Sequence, residues 1–214
     1  MQPYFLPYAG YMRLFLDVDV FVALDNVQYQ KGGWINRNKL RTPSGEYDWL
    51  AVPFRKGPLH MQISDLAFRD DAGSEMAKRM ARFPACVEPN AQAAPIVEAA
   101  RNTIGSGCDY LIELLSLTNE ALGIATPIIK AQSIPLDASL RGADRVLAIL
   151  EALNAKVYYN ASGGVELYDS DDFAARGIEL RFHPPYRGNT ASILQRLQDD
   201  DAGSVLGEMR ENLV

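Results

Sequence analysis

A chain of 214 residues suits one domain of generous size, or one domain with a small helical insertion, and it can bury a substantial core without disulfide or metal staples. Its 27 acidic against 21 basic side chains, a formal charge of -6, argue against a protein that lives on nucleic acid or anionic lipid. Two cysteines, Cys86 and Cys108, and two histidines, His60 and His183, lack metal-ligand spacing, so a reduced, cytoplasmic protein with no metal site is expected.

No stretch of the sequence reaches the roughly eighteen apolar residues of a membrane span. Residues 1–21 carry Pro3, Pro7, Asp17 and Asp19 and no basic leader, so they read as part of the fold and not as a signal peptide. Residues 10–17 have helical spacing, with Tyr11, Leu14 and Phe15 on one side, and lead into 18–25, a buried strand ending on an aspartate. Residues 26–48 read as loop or hairpin, and 49–54 as a strand with Pro53 near its end. From Ser74 to Gly123 the spacing is helical, over 76–83, 93–104 and 110–122, with breaks at Pro84, Pro89, Pro95 and Gly105-Ser106-Gly107. A single α/β domain over 1–214, with a helical insertion or cap at 73–124, follows. Next come a strand at 127–131, a helix at 143–153, a strand at 156–159, a helix near 171–176 and a strand at 178–182. That alternation favours a parallel sheet with crossover helices, which places ligands at the carboxyl ends of its strands. The run Asp199-Asp200-Asp201 reads as a solvated helix end, because consecutive residues point in different directions, and the tail beyond it as partly mobile.

The chemistry concentrates in three blocks: Gln2-Pro3-Tyr4-Phe5-Leu6-Pro7-Tyr8-Ala9-Gly10-Tyr11, Asp25-Asn26-Val27-Gln28-Tyr29, and Trp34-Ile35-Asn36-Arg37-Asn38. An aspartate at the carboxyl end of a strand can act as a base or hold a sugar hydroxyl, and asparagine, arginine and tryptophan suit a sugar phosphate and its ring. The same residues also have purely structural uses: Asp25 and Asn26 capping a turn, Trp34 packing under the loop, Arg37 pairing with a carboxylate. Ser162-Gly163-Gly164 can present backbone amides to an anion or simply make a tight turn. Ser139, Arg141 and Arg145 stand where a phosphate could meet a helix amino terminus, or serve as a cap and two exposed arginines. His183 ends a strand on the rim expected for Asp25 and is the better histidine for acid or base work, with a structural role as the alternative. Cys86 and Cys108 have no histidine nearby in sequence and are poor nucleophile candidates.

Together the three blocks resemble the WbqC-like family, bacterial proteins often encoded among genes for surface-polysaccharide assembly. The resemblance continues through residues 142–153, through Val157-Tyr158-Tyr159-Asn160-Ala161-Ser162-Gly163-Gly164, and through Leu167-Tyr168, Gly177-Ile178-Glu179-Leu180 and Ser192-Ile193-Leu194. Members of that family usually carry several residues before the Q-P pair that build a first strand. The expectation here is therefore either a natural start upstream of Met1 or a member without a central strand. The segment between Tyr186 and Ser192 is shortened relative to the family. A second likeness is to nucleotidyltransferase-like domains, in which a phenylalanine-x-proline stretch precedes a histidine-x-glycine-histidine signature. Phe5-Leu6-Pro7 leads here into Tyr8-Ala9-Gly10-Tyr11, so tyrosines stand in the histidine places. They can donate hydrogen bonds to phosphate but are neutral near pH 7. The fold implied is a Rossmann-like parallel sheet with a helical insertion.

The resemblance implies a cytoplasmic enzyme of surface-polysaccharide (O-antigen, lipopolysaccharide) or nucleotide-sugar biosynthesis that transfers a group onto an activated or amino sugar. Its site would use Asp25, Arg37 and His183 as catalytic groups. Gln2, Tyr8, Tyr11, Asn26, Gln28, Lys31, Trp34, Asn36, Asn38, Ser162 and Gly163 would bind substrate. Lys31 and Arg37 would hold phosphate, Asp25 would orient or deprotonate the acceptor, and Trp34 would pack on the sugar or base. The cofactor is left open. The partners implied are a sugar or nucleotide-sugar and a second copy of the chain, with no nucleic acid and no membrane span. No histidine, cysteine or serine in the dense blocks has an activating neighbour. That keeps a second class in view, a non-catalytic ligand-binding or assembly protein for glycan biosynthesis.

Overall fold

The computed structural model describes residues 1–213, and its elements follow the apolar pattern along the chain. Ala9–Met12 forms α1 and runs on as a 3-10 turn, Arg13–Phe15, which turns Tyr11, Met12, Leu14 and Phe15 into the core. Phe21–Ala23 (β1) follows, with Phe21 and Ala23 facing inward. Arg37–Arg41 (β2) and Tyr47–Ala51 (β3) make an antiparallel hairpin in which Arg37 lies opposite Ala51 and Lys39 opposite Trp49. Asn38, Leu40 and Leu50 are the buried residues of its inner face, Asn38 and Leu40 two apart as the period of a strand requires.

Four helices come next: Ala72–Met80 (α2), Pro84–Val87 (α3), Ala94–Arg101 (α4) and Gly107–Ala121 (α5). Pro84 and Pro95 stand in the first turns of α3 and α4, where a missing N–H costs nothing, so they begin helices as well as separating them. Ser106 caps α5 by accepting from the Asp109 N–H at 3.3 Å. Tyr110, Leu111, Leu114 and Leu115 form the buried stripe of α5.

Ile128–Lys130 (β4) lies parallel to β1, with Phe21 beside Ile128 and Ala23 beside Lys130. Gly142–Ala152 (α6), Val157–Asn160 (β5), Ser170–Ala174 (α7) and Glu179–Phe182 (β6) complete the α/β alternation, and β5 and β6 are again parallel. The described residues thus form a mixed α/β fold with short parallel pairs and no closed barrel. None of their helices is long and apolar enough to cross a membrane.

The tail corrects one expectation. Instead of a partly mobile stretch beyond the three aspartates, Ala202–Glu211 forms α9, which follows Ile193–Asp199 (α8); Val205 and Met209, like Leu194 and Leu197 of α8, are wholly buried in the main core. The three aspartates at the junction divide their work. Asp199 pairs with Arg41, Asp200 takes the Arg196 Nε–H at 2.7 Å, and Asp201 caps α9 through the Ser204 N–H at 2.9 Å.

Packing falls into two clusters. The main core joins Phe5 and Phe15 to Leu50, Phe83, Leu114 and Met209. A smaller one gathers Val146, Leu147, Leu150, Phe173 and Ile178 beneath β5 and β6. Between β1 and β5 lies a cleft of about 480 Å³. Met1 sits against the β1 wall of this cleft, its nitrogen donating to Val22 O and its carbonyl accepting from the Leu24 N–H, both at 2.8 Å.

Candidate functional site

The opening block is held from both sides. Leu6 adopts a left-handed backbone, φ 45°. Its carbonyl accepts from Asn38 Nδ2 at 2.6 Å and from Ser192 Oγ at 2.8 Å. The Phe5 N–H donates to Trp34 O at 2.9 Å, and the Ile193 N–H to Pro7 O at 2.6 Å. Tyr11 is buried, stacks on Tyr4 at 5.0 Å and donates its hydroxyl to Gln2 O at 2.7 Å. Burial pushes that hydroxyl well above the ordinary tyrosine range, so it stays a neutral donor. Tyr8 meets Tyr186 edge to face at 5.6 Å. Gly10 leaves room for that pair, since a Cβ there would lie 2.2 Å from Tyr8 Cε2.

At the carboxyl end of β1, Asp25 is completely buried. Its Oδ1 accepts the Gln132 N–H at 2.9 Å, tying the ends of β1 and β4 together, while Oδ2 has no protein donor. Burial pushes the Asp25 carboxyl up, against the pull of the Gln132 amide and Lys130. Asn26, half-buried, gives its carbonyl to Arg145 Nη1 at 2.5 Å, and its Oδ1 is likewise buried without a donor. Arg145 comes from the first turn of α6 and is itself buried. Lys130 is held by Asp109. On the β5 and β6 side, the Asn160 side chain accepts the Ala161 N–H at 2.8 Å. Ser162 and Gly163 open a 3-10 turn, Ser162–Leu167, with Gly163 exposed. His183 is buried, stacks on Tyr159 at 5.3 Å and leaves Nε2 without a partner. Burial and the neighbouring Arg13 guanidinium push its pKa down, against the pull of Asp17. Its charged neighbours are therefore Arg13 and Asp17, not Asp25.

The hairpin carries a second group. The Arg37 guanidinium lies over the Trp49 ring at 4.2 Å and Lys39 Nζ lies 5.1 Å from the same ring. Trp34, 50% exposed, tilts against Trp49 at 5.7 Å. Arg37 Nε is buried without an acceptor. Asn36 Oδ1 accepts the Gly32 N–H at 3.3 Å, where φ of 77° suits glycine. Gln28 donates to Leu59 O at 2.8 Å, and Lys31 is exposed.

The structure thus brings Asp25 and Asn26 together with Arg145, and Trp34 and Arg37 together with Trp49, while Asn36 holds the Gly32 turn beside them. The opening block bridges the two groups through Met1 on β1 and through Phe5 and Leu6 on the hairpin. Asn38 is spent on the Leu6 carbonyl. Sequence reasoning overlooked Trp49, Lys39, Lys130 and Gln132. The first two are legible only once the hairpin register sets Lys39 opposite Trp49. Cys86 and Cys108 are buried free thiols, each pushed up to about 12 by burial, and do not form thiolates near neutral pH.

A family model described as the WbqC-like protein family matches residues 2–190. An uncharacterized protein of Mycobacterium tuberculosis (strain ATCC 25618 / H37Rv) is 38% identical over 66 residues, which is 30% of this chain and 28% of that protein. The chain therefore matches under a third of that relative's length. No solved structure matches the chain.

Proposed function

Because the chain belongs to the WbqC-like protein family, we propose that it is an enzyme of surface-polysaccharide (O-antigen) or nucleotide-sugar biosynthesis that transfers a group onto an activated or amino sugar. The observation that carries this reading is the pair of adjacent buried acceptors, Asp25 Oδ2 and Asn26 Oδ1, without protein donors at the carboxyl end of a parallel strand. Buried polar atoms in native proteins nearly always find a partner. A sugar hydroxyl or ammonium supplies the missing donor, and the carboxyl ends of parallel strands are where α/β folds receive ligands. We place the reaction in the cytoplasm, on a Rossmann-like sheet in which residues 73–124 form a helical insertion.

In this reading Asn26 makes the outer contact with the acceptor, and Asp25 orients it or takes its proton. The raised pKa of Asp25 suits that proton transfer, which requires the rim to part, since Asp25 has no solvent exposure. Arg37 and Lys31 bind phosphate, and Trp34 with Trp49 packs against the sugar ring or base.

A second reading is a non-catalytic binder of glycan precursors. It is favoured by His183, whose buried ring has Arg13 and Asp17, and not Asp25, as its charged neighbours. A thermal-shift screen against UDP-sugars, dTDP-sugars, ATP and CoA derivatives, followed by turnover assays, separates the two. Saturation at a hundred times Kd adds about 2.7 kcal/mol. Arg37→Ala is expected to lose the shift. Asp25→Asn is expected to keep it while turnover falls by roughly 10²-fold or more, the usual worth of a general base. A ligand shift with no turnover in any variant or in the wild type supports the binder instead.

A further inference from the structure

Three arginines are buried among the described residues: Arg13, Arg145 and Arg196. Arg196 has two carboxylates, Asp200 and Glu208, and Arg13 gives its donors to the carbonyls of Gly10, Pro184 and Asn212. Arg145, 8% exposed, has a single acceptor, Asn26 O on its Nη1, and no ion pair among the described residues. Its Nε and Nη2 have no protein acceptor, yet neither is sealed from solvent, so the free face of the guanidinium looks into an opening. Native proteins keep a buried charge where something pairs it, and no group of this chain pairs Arg145. Burial and the neighbouring Arg141 cation push its pKa down, so an anion is what the position lacks. Helix side chains lean toward the amino end, which places the opening at the start of α6, beside Arg141. No side chain caps that start, and the first-turn N–H groups of Gly142, Ala143 and Asp144 are left without acceptors. Gly142 has φ 52°, and a Cβ on it would meet nothing within 4 Å, so the space over the turn is open. Arg141 is exposed and bonds only the carbonyls of Ala138 and Leu140. The nearby carboxylates, Asp137 and Asp144, are exposed, and Asp137 is engaged by the Ser139 N–H at 2.7 Å.

We infer that Arg145, Arg141 and the first-turn amides of α6 form a phosphoryl-binding site, which takes a phosphate ester or diphosphate beside the Asp25–Asn26 end of β1. A phosphoryl group brings several acceptor oxygens at once. It pairs with the free face of Arg145, reaches Arg141 as a second cation, and accepts from the open helix amides. Asn26, whose carbonyl holds Arg145, also carries the unpaired Oδ1 of the candidate site. A sugar hydroxyl at Asp25 and Asn26 and a phosphate at Arg145 are then two ends of one ligand. The site deepens the proposed function and depends on it only for joining the phosphate to a sugar. Arg37 and Lys31, to which that function gives a phosphate, belong to β2 and the loop before it, so single variants separate the two anion positions.

The test titrates inorganic pyrophosphate, glucose 1-phosphate and UDP into the whole chain by isothermal calorimetry, with sodium chloride of matched ionic strength as the blank. Arg145→Gln is expected to weaken pyrophosphate binding by at least ~10-fold, the loss of a charge-assisted pair. Arg141→Gln is expected to weaken it less, because its side chain is exposed, and Lys78→Gln, an exposed cation on α2, leaves it unchanged. Circular dichroism checks the fold of each variant. If Arg145→Gln does not fold, Arg141→Gln decides. Pyrophosphate binding no stronger than the chloride blank overturns the site, as does binding that neither arginine variant weakens or that Arg37→Ala alone abolishes. Tighter binding of glucose 1-phosphate or UDP than of pyrophosphate supports the site and says which molecule carries the phosphate. Pyrophosphate binding that neither improves on supports the site and counts against the sugar reading.

Discussion

Leu6 occupies a left-handed backbone conformation without being glycine, which costs roughly 1–2 kcal/mol. Its wholly buried side chain and the donors aimed at its carbonyl, Asn38 Nδ2 and Ser192 Oγ, offset that cost. Asn38→Ala leaves the carbonyls of Phe5 and Leu6 short of a donor in a buried place. It is expected to lower stability by about 2–3 kcal/mol in urea unfolding, with the loss present with or without ligand. His183 supplies a pH signature at the same scale. Its folded pKa lies below the ordinary value near 6.5, so the unfolded chain takes up a proton more readily than the folded one. Stability is then complete above that value and declines as pH falls through it toward the folded pKa. His183→Gln should lessen the fall of the urea midpoint between pH 7.5 and 5, whatever the variant's absolute stability, leaving the part contributed by the buried Met1 ammonium, which burial pushes down to about 5. An unchanged slope would mean that the imidazole does not titrate as the burial implies.

Elements show where sequence suffices and where it does not. β4, β5 and β6 and the helices between them fall within a few residues of their expected places, because each apolar run is flanked by its own breaker. Asn154, after α6, takes the left-handed cap position at φ 52°. It is exposed there, and Asn154→Gly is expected to add about 0.5–1 kcal/mol, read as a higher thermal midpoint. α3 escaped because Pro84 reads as a break when it is also a start. α8 escaped because its buried face includes Gln195 and Arg196, polar residues that no hydrophobic period reveals. Arg196 is buried because Glu208 of α9 accepts from it at 2.9 Å and Asp200 at 2.7 Å. The candidate site divides the same way. Asp25 and Asn26 were legible as polar residues at a strand end, whereas the Trp49 platform under Arg37 depends on hairpin register and Lys130 on a pairing more than a hundred residues apart.

At the scale of the whole molecule, the main core is closed by the chain's far end. Leu194, Leu197, Val205 and Met209 are wholly buried against helices and strands from the first 120 residues. Arg13 donates to Pro184 O at 2.9 Å and also holds the carbonyl of Asn212. A chain ended after residue 190, the limit of the family match, is therefore expected to lose cooperative thermal unfolding and most near-ultraviolet circular dichroism. If it kept both, the carboxyl-terminal helices would be accessories and not parts of the core. The smaller cluster under β5 and β6 has its own apolar contacts and can keep its helical signal in that truncation.

The clasp on Leu6 and Pro7 also sets a timetable. Ser192 and Ile193 are made some 185 residues after the segment they secure, and at 5–20 residues per second the ribosome needs roughly 10–40 s to deliver them. For that interval the aromatic opening block has emerged with the Trp34 and Asn38 contacts within reach but without the Ser192 and Ile193 contacts that clasp it from the other side. Its ordering is a late event in the life of each newly made molecule, and the nascent chain passes through a period in which Tyr4, Phe5, Tyr8 and Tyr11 are open to whatever the cell offers them.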